Sequence, residues 1–144
     1  MINAKTIIDK FFKVVPKVKK YLNSLGTFAK KNYFAVTNPP YFRIRRFDLD
    51  SKAGSRERAG KNHPIQGTNA DMVKLAMIRI MKERPDNRIK LILPMHDEIV
   101  TRCPDELVDT WSVQLGEIME SVAELVAPKV KIRADVKINK KWTK

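Results

Sequence analysis

Two groups of residues in this sequence could do chemistry. The first is His96-Asp97-Glu98, set between the aliphatic runs Leu91-Ile92-Leu93 and Ile99-Val100. Burying a carboxylate is costly unless something pairs it. The tripeptide is therefore either the polar turn of a strand pair or part of a site. A hard divalent cation such as Mg²⁺ takes carboxylate oxygens and keeps several waters. One or two such ions stabilise the attacking and leaving oxygens of phosphoryl transfer. Successive strand residues face opposite ways, so Asp97 and Glu98 are expected to act unequally, with Asp97 the main ligand. That set is one carboxylate short of a site. The second group is Arg58, Asn62 and Gln66, spaced by four. On a helix continuing across Pro64 they share one face. Such a row offers donors and acceptors to the minor groove, whose code is degenerate, and so reads duplex shape rather than base sequence. A polar hairpin turn accounts for the tripeptide equally well, and a solvated stripe kinked at Pro64 accounts for the row.

The elements that must position these groups can be read from periodicity. Ile7, Ile8, Phe11 and Phe12 recur at helical spacing, and Pro16 should end or kink that helix. A second helix is expected from about Lys17 to Lys31, with a lysine-rich outer face. The run "YFAVTNPPYFRIRRF" predicts a strand pair broken at Asn38-Pro39-Pro40. After a polar loop a helix starts near Ser55, with an interruption expected at Pro64 and a longer part carrying Met72, Leu75, Ala76, Ile80 and Met81. Ile89–Leu93 and Glu98–Arg102 should form a hairpin with "PMHD" at or near its turn. Pro104-Asp105-Glu106 suits the start of an amphipathic helix running to about Val126. "KVKIRADVKIN" alternates strictly and predicts a final strand, with Val130, Ile132, Ala134, Val136 and Ile138 on one face. The class is α+β, an antiparallel hairpin plus C-terminal strand covered by helices.

Composition narrows the partners. The 144 residues suffice for one domain, and a hydrophobic fraction of 43% argues against disorder. Lys and Arg number 29 against 16 Asp and Glu, a formal charge of +13. Such a chain seeks polyanions, with nucleic acid the default and an anionic membrane surface the weaker option. No apolar run could span a bilayer and no signal-peptide core follows the N-terminus. The single cysteine, Cys103, excludes a disulfide framework, and a structural role fits it better than an activated thiol. These features fit a soluble protein of a reducing cytoplasm.

Taken together, "RERAGKNHPIQGTNADMVKLAM" and the His-Asp-Glu hairpin resemble the C-terminal palm of family A DNA polymerases, the bacterial polymerase I and phage replicase type. "FFKVVPKVKKYL" is similar to that family's "F-x-x-x-P-x-V" helix, and "ADVKINKKWTK" to its closing strand and terminal Trp142. The resemblance implies a single incomplete palm subdomain over 1–144. It divides into a helical segment (1–32), a basic strand and loop segment (33–54), a nucleic-acid-contacting helix (55–84), and the hairpin, helix and terminal strand (87–144). It implies that Asp97 binds a catalytic metal, with Glu98 as auxiliary acid and His96 near the primer terminus. It places Arg58, Asn62 and Gln66 on the minor groove and the primer–template junction. Asp71 is expected to hold its helix rather than react.

Two of the family's motifs are absent from this sequence. One is the strand of the type "D-Y-S-Q-I-E-x-R" that supplies the other metal-binding aspartate. The other is the fingers helix of the type "R-x-x-x-K-x-x-x-F/Y-x-x-x-Y-G" that grips the incoming dNTP. The family's Gly-Arg-Arg-Arg turn is altered to "NPPYFRIRRF", and Asn69 stands where alanine is usual. Two-metal catalysis needs carboxylates from both palm motifs to fix ions about 3.5–4 Å apart, and positioning supplies much of the rate. The expectation is the C-terminal piece of a split DNA-directed DNA polymerase, inactive alone. Met1 would fall in the spacer before a helix, and an N-terminal polymerase polypeptide would supply fingers, thumb and first palm carboxylate. The Mg²⁺ site would be completed by that chain around DNA primer–template. The alternatives are a polymerase-derived DNA-binding or accessory protein without catalysis, and a gene remnant without function.

Overall fold

The computed structural model describes residues 3–141. It contains α1 (Ala4–Val14), α2 (Pro16–Asn32), β1 (Phe34–Val36), β2 (Ile44–Arg46), α3 (Ala53–Glu83), β3 (Lys90–Met95), β4 (Glu98–Arg102) and α4 (Val108–Val126). A short 3₁₀ turn over Asp105–Leu107 leads into α4. The α+β class with antiparallel pairing stands: β1 pairs with β2, and β3 with β4. The chain forms two compact units, residues 1–67 and 68–144, whose boundary falls inside α3.

In the first unit, the Asn3 side chain caps α1 by accepting from the Lys5 N–H at 3.1 Å. Pro16 opens α2, where its missing N–H costs nothing. The helix ends on Tyr33, left-handed at φ 60°, whose N–H reaches the Ala29 carbonyl. Small residues let α2 approach α3. A Cβ on Gly60 would lie 2.3 Å from the Ala29 Cβ and 3.1 Å from the Leu25 carbonyl oxygen. Arg56 is buried, donates to the carbonyls of Lys30 and Ser51, and stacks over the Tyr33 ring at 4.0 Å. The β1–β2 ribbon is fixed by the Arg43 N–H, which donates to Thr37 Oγ1 at 2.8 Å.

In the second unit, Ile80, Ile89, Trp111, Leu115 and Ile118 form the core, with Leu91, Ile99 and Val136 packed against it. The Trp111 indole N–H donates to Thr101 Oγ1 at 3.0 Å and locks α4 onto β4. The Gln114 side chain donates to the last carbonyl of α3, that of Glu83. Arg79 bridges Glu83 and Ser121.

Three expectations are corrected. Helix α3 is not interrupted at Pro64; it runs through the proline as one element of 31 residues. An interior proline removes a hydrogen bond and costs roughly 3 kcal/mol. Tertiary packing outweighs that cost, because Gly60, His63 and Gly67 are buried on either side of it. The hairpin turn is shorter than "PMHD": Pro94 and Met95 belong to β3, opposite Ile99 and Glu98. Proline is tolerated there because a two-stranded sheet consists only of edges. Finally, the strand expected over 130–138 forms no ladder. Alternation alone does not make a strand without a partner edge. That segment is instead pinned to α4 by Glu120, which accepts from the Ala134 N–H and the Arg133 guanidinium, and by Val136 on the core. Trp142, expected as the terminal residue of that motif, lies outside the described residues.

Candidate functional site

The hairpin presents His96 and Asp97 as a two-residue loop between Met95 and Glu98. His96 has φ 56°, the left-handed region that tight hairpin loops use at their first position. Histidine enters that region more readily than most residues. Asp97 is therefore in the loop itself, and Glu98 is the first residue of β4. All three side chains are exposed. Ile92 is the extra residue of a bulge, since Leu91 faces Thr101 while Leu93 faces Val100. Bulges bend a strand and re-aim the residues beyond them, so this one directs the hairpin tip.

The exposed loop fits a hard cation as far as it goes. Its donors are carboxylate oxygens, the chemistry Mg²⁺ prefers. Among the described residues no three His, Cys, Asp or Glu gather to complete a shell. Asp97 and Glu98 are adjacent exposed carboxylates at the end of this hairpin.

The second group lies in the first unit. Arg58, Asn62 and Gln66 are all exposed, and the opposite face of α3 carries buried Arg56, Gly60, His63 and Gly67. The alternation explains both stripes. One face packs on α2 and the β1–β2 ribbon, and the spacing of four leaves the other to solvent. Next to Arg58, Lys61 pairs with Glu57 at 2.7 Å, and that contact holds the Glu57 carboxyl below the usual range. Asp71 is buried. Cys103 donates to the Pro104 carbonyl, and burial pushes its thiol up, away from reactivity.

Charge is distributed unevenly. Residues 1–67 hold 15 of the 29 Lys and Arg but only 4 of the 16 Asp and Glu, a net +11 of the chain's +13. The total charge alone conceals this asymmetry, although counting by halves finds it. Periodicity likewise passes over the tip of the β1–β2 ribbon, where Tyr41 and Phe42 are exposed, with Arg45 and Arg46 exposed further along β2. No helix among the described residues is long and apolar enough to cross a membrane.

Comparison with known proteins gives one consistent result. The model of the family described as DNA polymerase family A matches residues 2–144. The chain is 36% identical to DNA polymerase I of Caldicellulosiruptor bescii over 147 aligned positions, covering 96% of this chain and 17% of that protein. It is 32% identical to DNA polymerase I of Lactococcus lactis subsp. lactis, covering 97% of this chain and 16% of the relative. It is 29% identical to the thermostable DNA polymerase I of Thermus aquaticus, covering 96% and 17%. The chain thus spans about one sixth of the length of these relatives.

Proposed function

Because the chain belongs to DNA polymerase family A, we propose that it supplies the Asp97 hairpin and the minor-groove helix of a DNA-directed DNA polymerase. The observation that carries this reading is the His96-Asp97-Glu98 loop, a two-residue turn that holds an exposed carboxylate at the end of a packed hairpin. In this reading Asp97 holds a catalytic Mg²⁺ with Glu98 as auxiliary acid. The bound ions would stabilise charge on the attacking and leaving oxygens of nucleotidyl transfer. His96 lies beside the primer terminus. Arg58, Asn62 and Gln66 follow the minor groove at the primer–template junction, where a row of donors and acceptors tolerates any base pair.

The motifs for the other metal-binding aspartate and for the dNTP phosphates are not in this sequence. In the proposed assembly an N-terminal polymerase polypeptide supplies them, and the activity belongs to the whole. Alone, the chain holds neither ion properly and does not extend a primer.

The test is reconstitution. The chain is combined with the N-terminal part of a family A polymerase, primer–template, dNTPs and Mg²⁺. Extension should require both polypeptides, and should fall in Asn62→Ala and Gln66→Ala variants whose folding is unchanged. A mixture that never extends, with both parts folded and bound, would contradict the reading.

A second reading, a DNA-binding accessory protein without catalysis, is favoured by the +11 charge of residues 1–67. It expects duplex binding by the chain alone, weakening steeply with salt as several phosphate contacts are lost, and no extension in any mixture.

A further inference from the structure

We propose that the cleft between α2 and the β1–β2 ribbon seats one unpaired base of a single-stranded nucleic acid. The cleft has a volume of about 260 Å³ and is lined by Leu25, Phe28, Pro39 and Phe42, with Thr37 and Asn38 as polar members. It is smaller than the ~300–1,000 Å³ of drug-sized sites, a size for a single planar ring system. Two aromatic rings border it. Phe28 is held edge-on against Phe34 at 5.1 Å, and Phe42 is 58% exposed.

Phe42 sits at φ 47°. A bulky aromatic rarely adopts left-handed backbone, and such strain gathers at binding sites. Here the strain accompanies a ring that lines the cleft yet stays open to solvent. The Asn38 side chain donates to Tyr21 Oη at 3.0 Å, which orients an amide able to meet a base edge.

Charge chooses the occupant. Exposed Arg45 and Arg46 lie on β2, three and four residues beyond Phe42, in the unit that carries +11. An apolar peptide side chain would gain nothing from that field, whereas a phosphate backbone would. Aromatic rings next to cations are how proteins hold unpaired strands, because every base has a face to stack. Duplex DNA keeps its bases stacked and cannot fill the cleft. The inference rests only on the nucleic-acid part of the polymerase reading; it uses neither Asp97 nor metal.

The test measures binding of the full 144-residue chain to short oligo-dT and to an abasic deoxyribose-phosphate oligomer of equal length, by fluorescence anisotropy. Oligo-dT should bind several-fold more tightly than the abasic oligomer. Phe42→Gly, which suits the left-handed backbone, should weaken oligo-dT binding roughly 5- to 100-fold. It should leave abasic and duplex binding unchanged, while Phe42→Tyr retains affinity. Equal affinity of the unmodified chain for dT and abasic oligomers would overturn the proposal, as would a Phe42→Gly chain that binds oligo-dT normally. Primer extension reads the hairpin and this assay reads the cleft, so either can fail without the other.

Discussion

The Nε2 atom of His63 lies 3.0 Å from the carbonyl oxygen of Arg43, and this contact fastens the β1–β2 ribbon to the first half of α3. A carbonyl only accepts, so Nε2 carries the proton. His63 is 8% exposed, and the same carbonyl also accepts from the Thr37 N–H at 3.0 Å.

His63→Ala should destabilise the fold by about 0.5–1.5 kcal/mol, the worth of one hydrogen bond, since the Thr37 N–H still satisfies the carbonyl. Chemical denaturation checks this. An unchanged midpoint would mean that water replaces the imidazole without loss.

Gly60→Ala tests the crossing of α2 and α3. In an isolated helix the change would help by roughly 1 kcal/mol. Here the new methyl would meet the Ala29 Cβ at 2.3 Å and the Leu25 carbonyl oxygen at 3.1 Å. Overpacking of that kind costs about 1–3 kcal/mol, so the net effect should be destabilising. A rise in thermal midpoint would refute the close approach.

Acid should release the segment after α4. The Glu120 carboxyl is held below its ordinary value first by the Ala134 N–H and then by the Arg133 guanidinium. A lowered folded pKa gives stability that is present above the unfolded pKa and lost as pH falls through the folded one. Protection of the Ala134 amide in hydrogen exchange should thus persist near neutrality and fade below pH 4.5. Glu120→Gln should show weak protection at every pH. Full protection in acid would sink this assignment.

How much of the fold is legible in the sequence depends on range. Local signals suffice where they act alone: Pro16 divides α1 from α2, Asn38-Pro39-Pro40 separates the ribbon strands, and the aliphatic runs around His96-Asp97-Glu98 form a hairpin. Signals that need a partner do not. The alternation of residues 130–138 predicts a strand, but a strand exists only against another edge, and the segment lies along α4 instead. Pro64 predicts a break because the local penalty is visible in the sequence while the packing of His63 and Gly67 is not. The candidate site divides the same way. Spacing places Arg58, Asn62 and Gln66 together on a solvent face. The left-handed Phe42 and its cleft depend on the approach of α2 to the ribbon, which no periodicity encodes.

In the proposed function Asp97 gives a polymerase one of its metal-binding carboxylates. The direct measurement is primer extension by the reconstituted enzyme in Mg²⁺, comparing the unmodified chain with Asp97→Ala at saturating primer–template. Asp97→Ala should lower the extension rate by at least ~10²-fold, the scale of removing one charge-stabilising element. Assembly and DNA affinity should be retained, since Asp97 is an exposed loop residue. Extension undiminished by Asp97→Ala would contradict the proposed function.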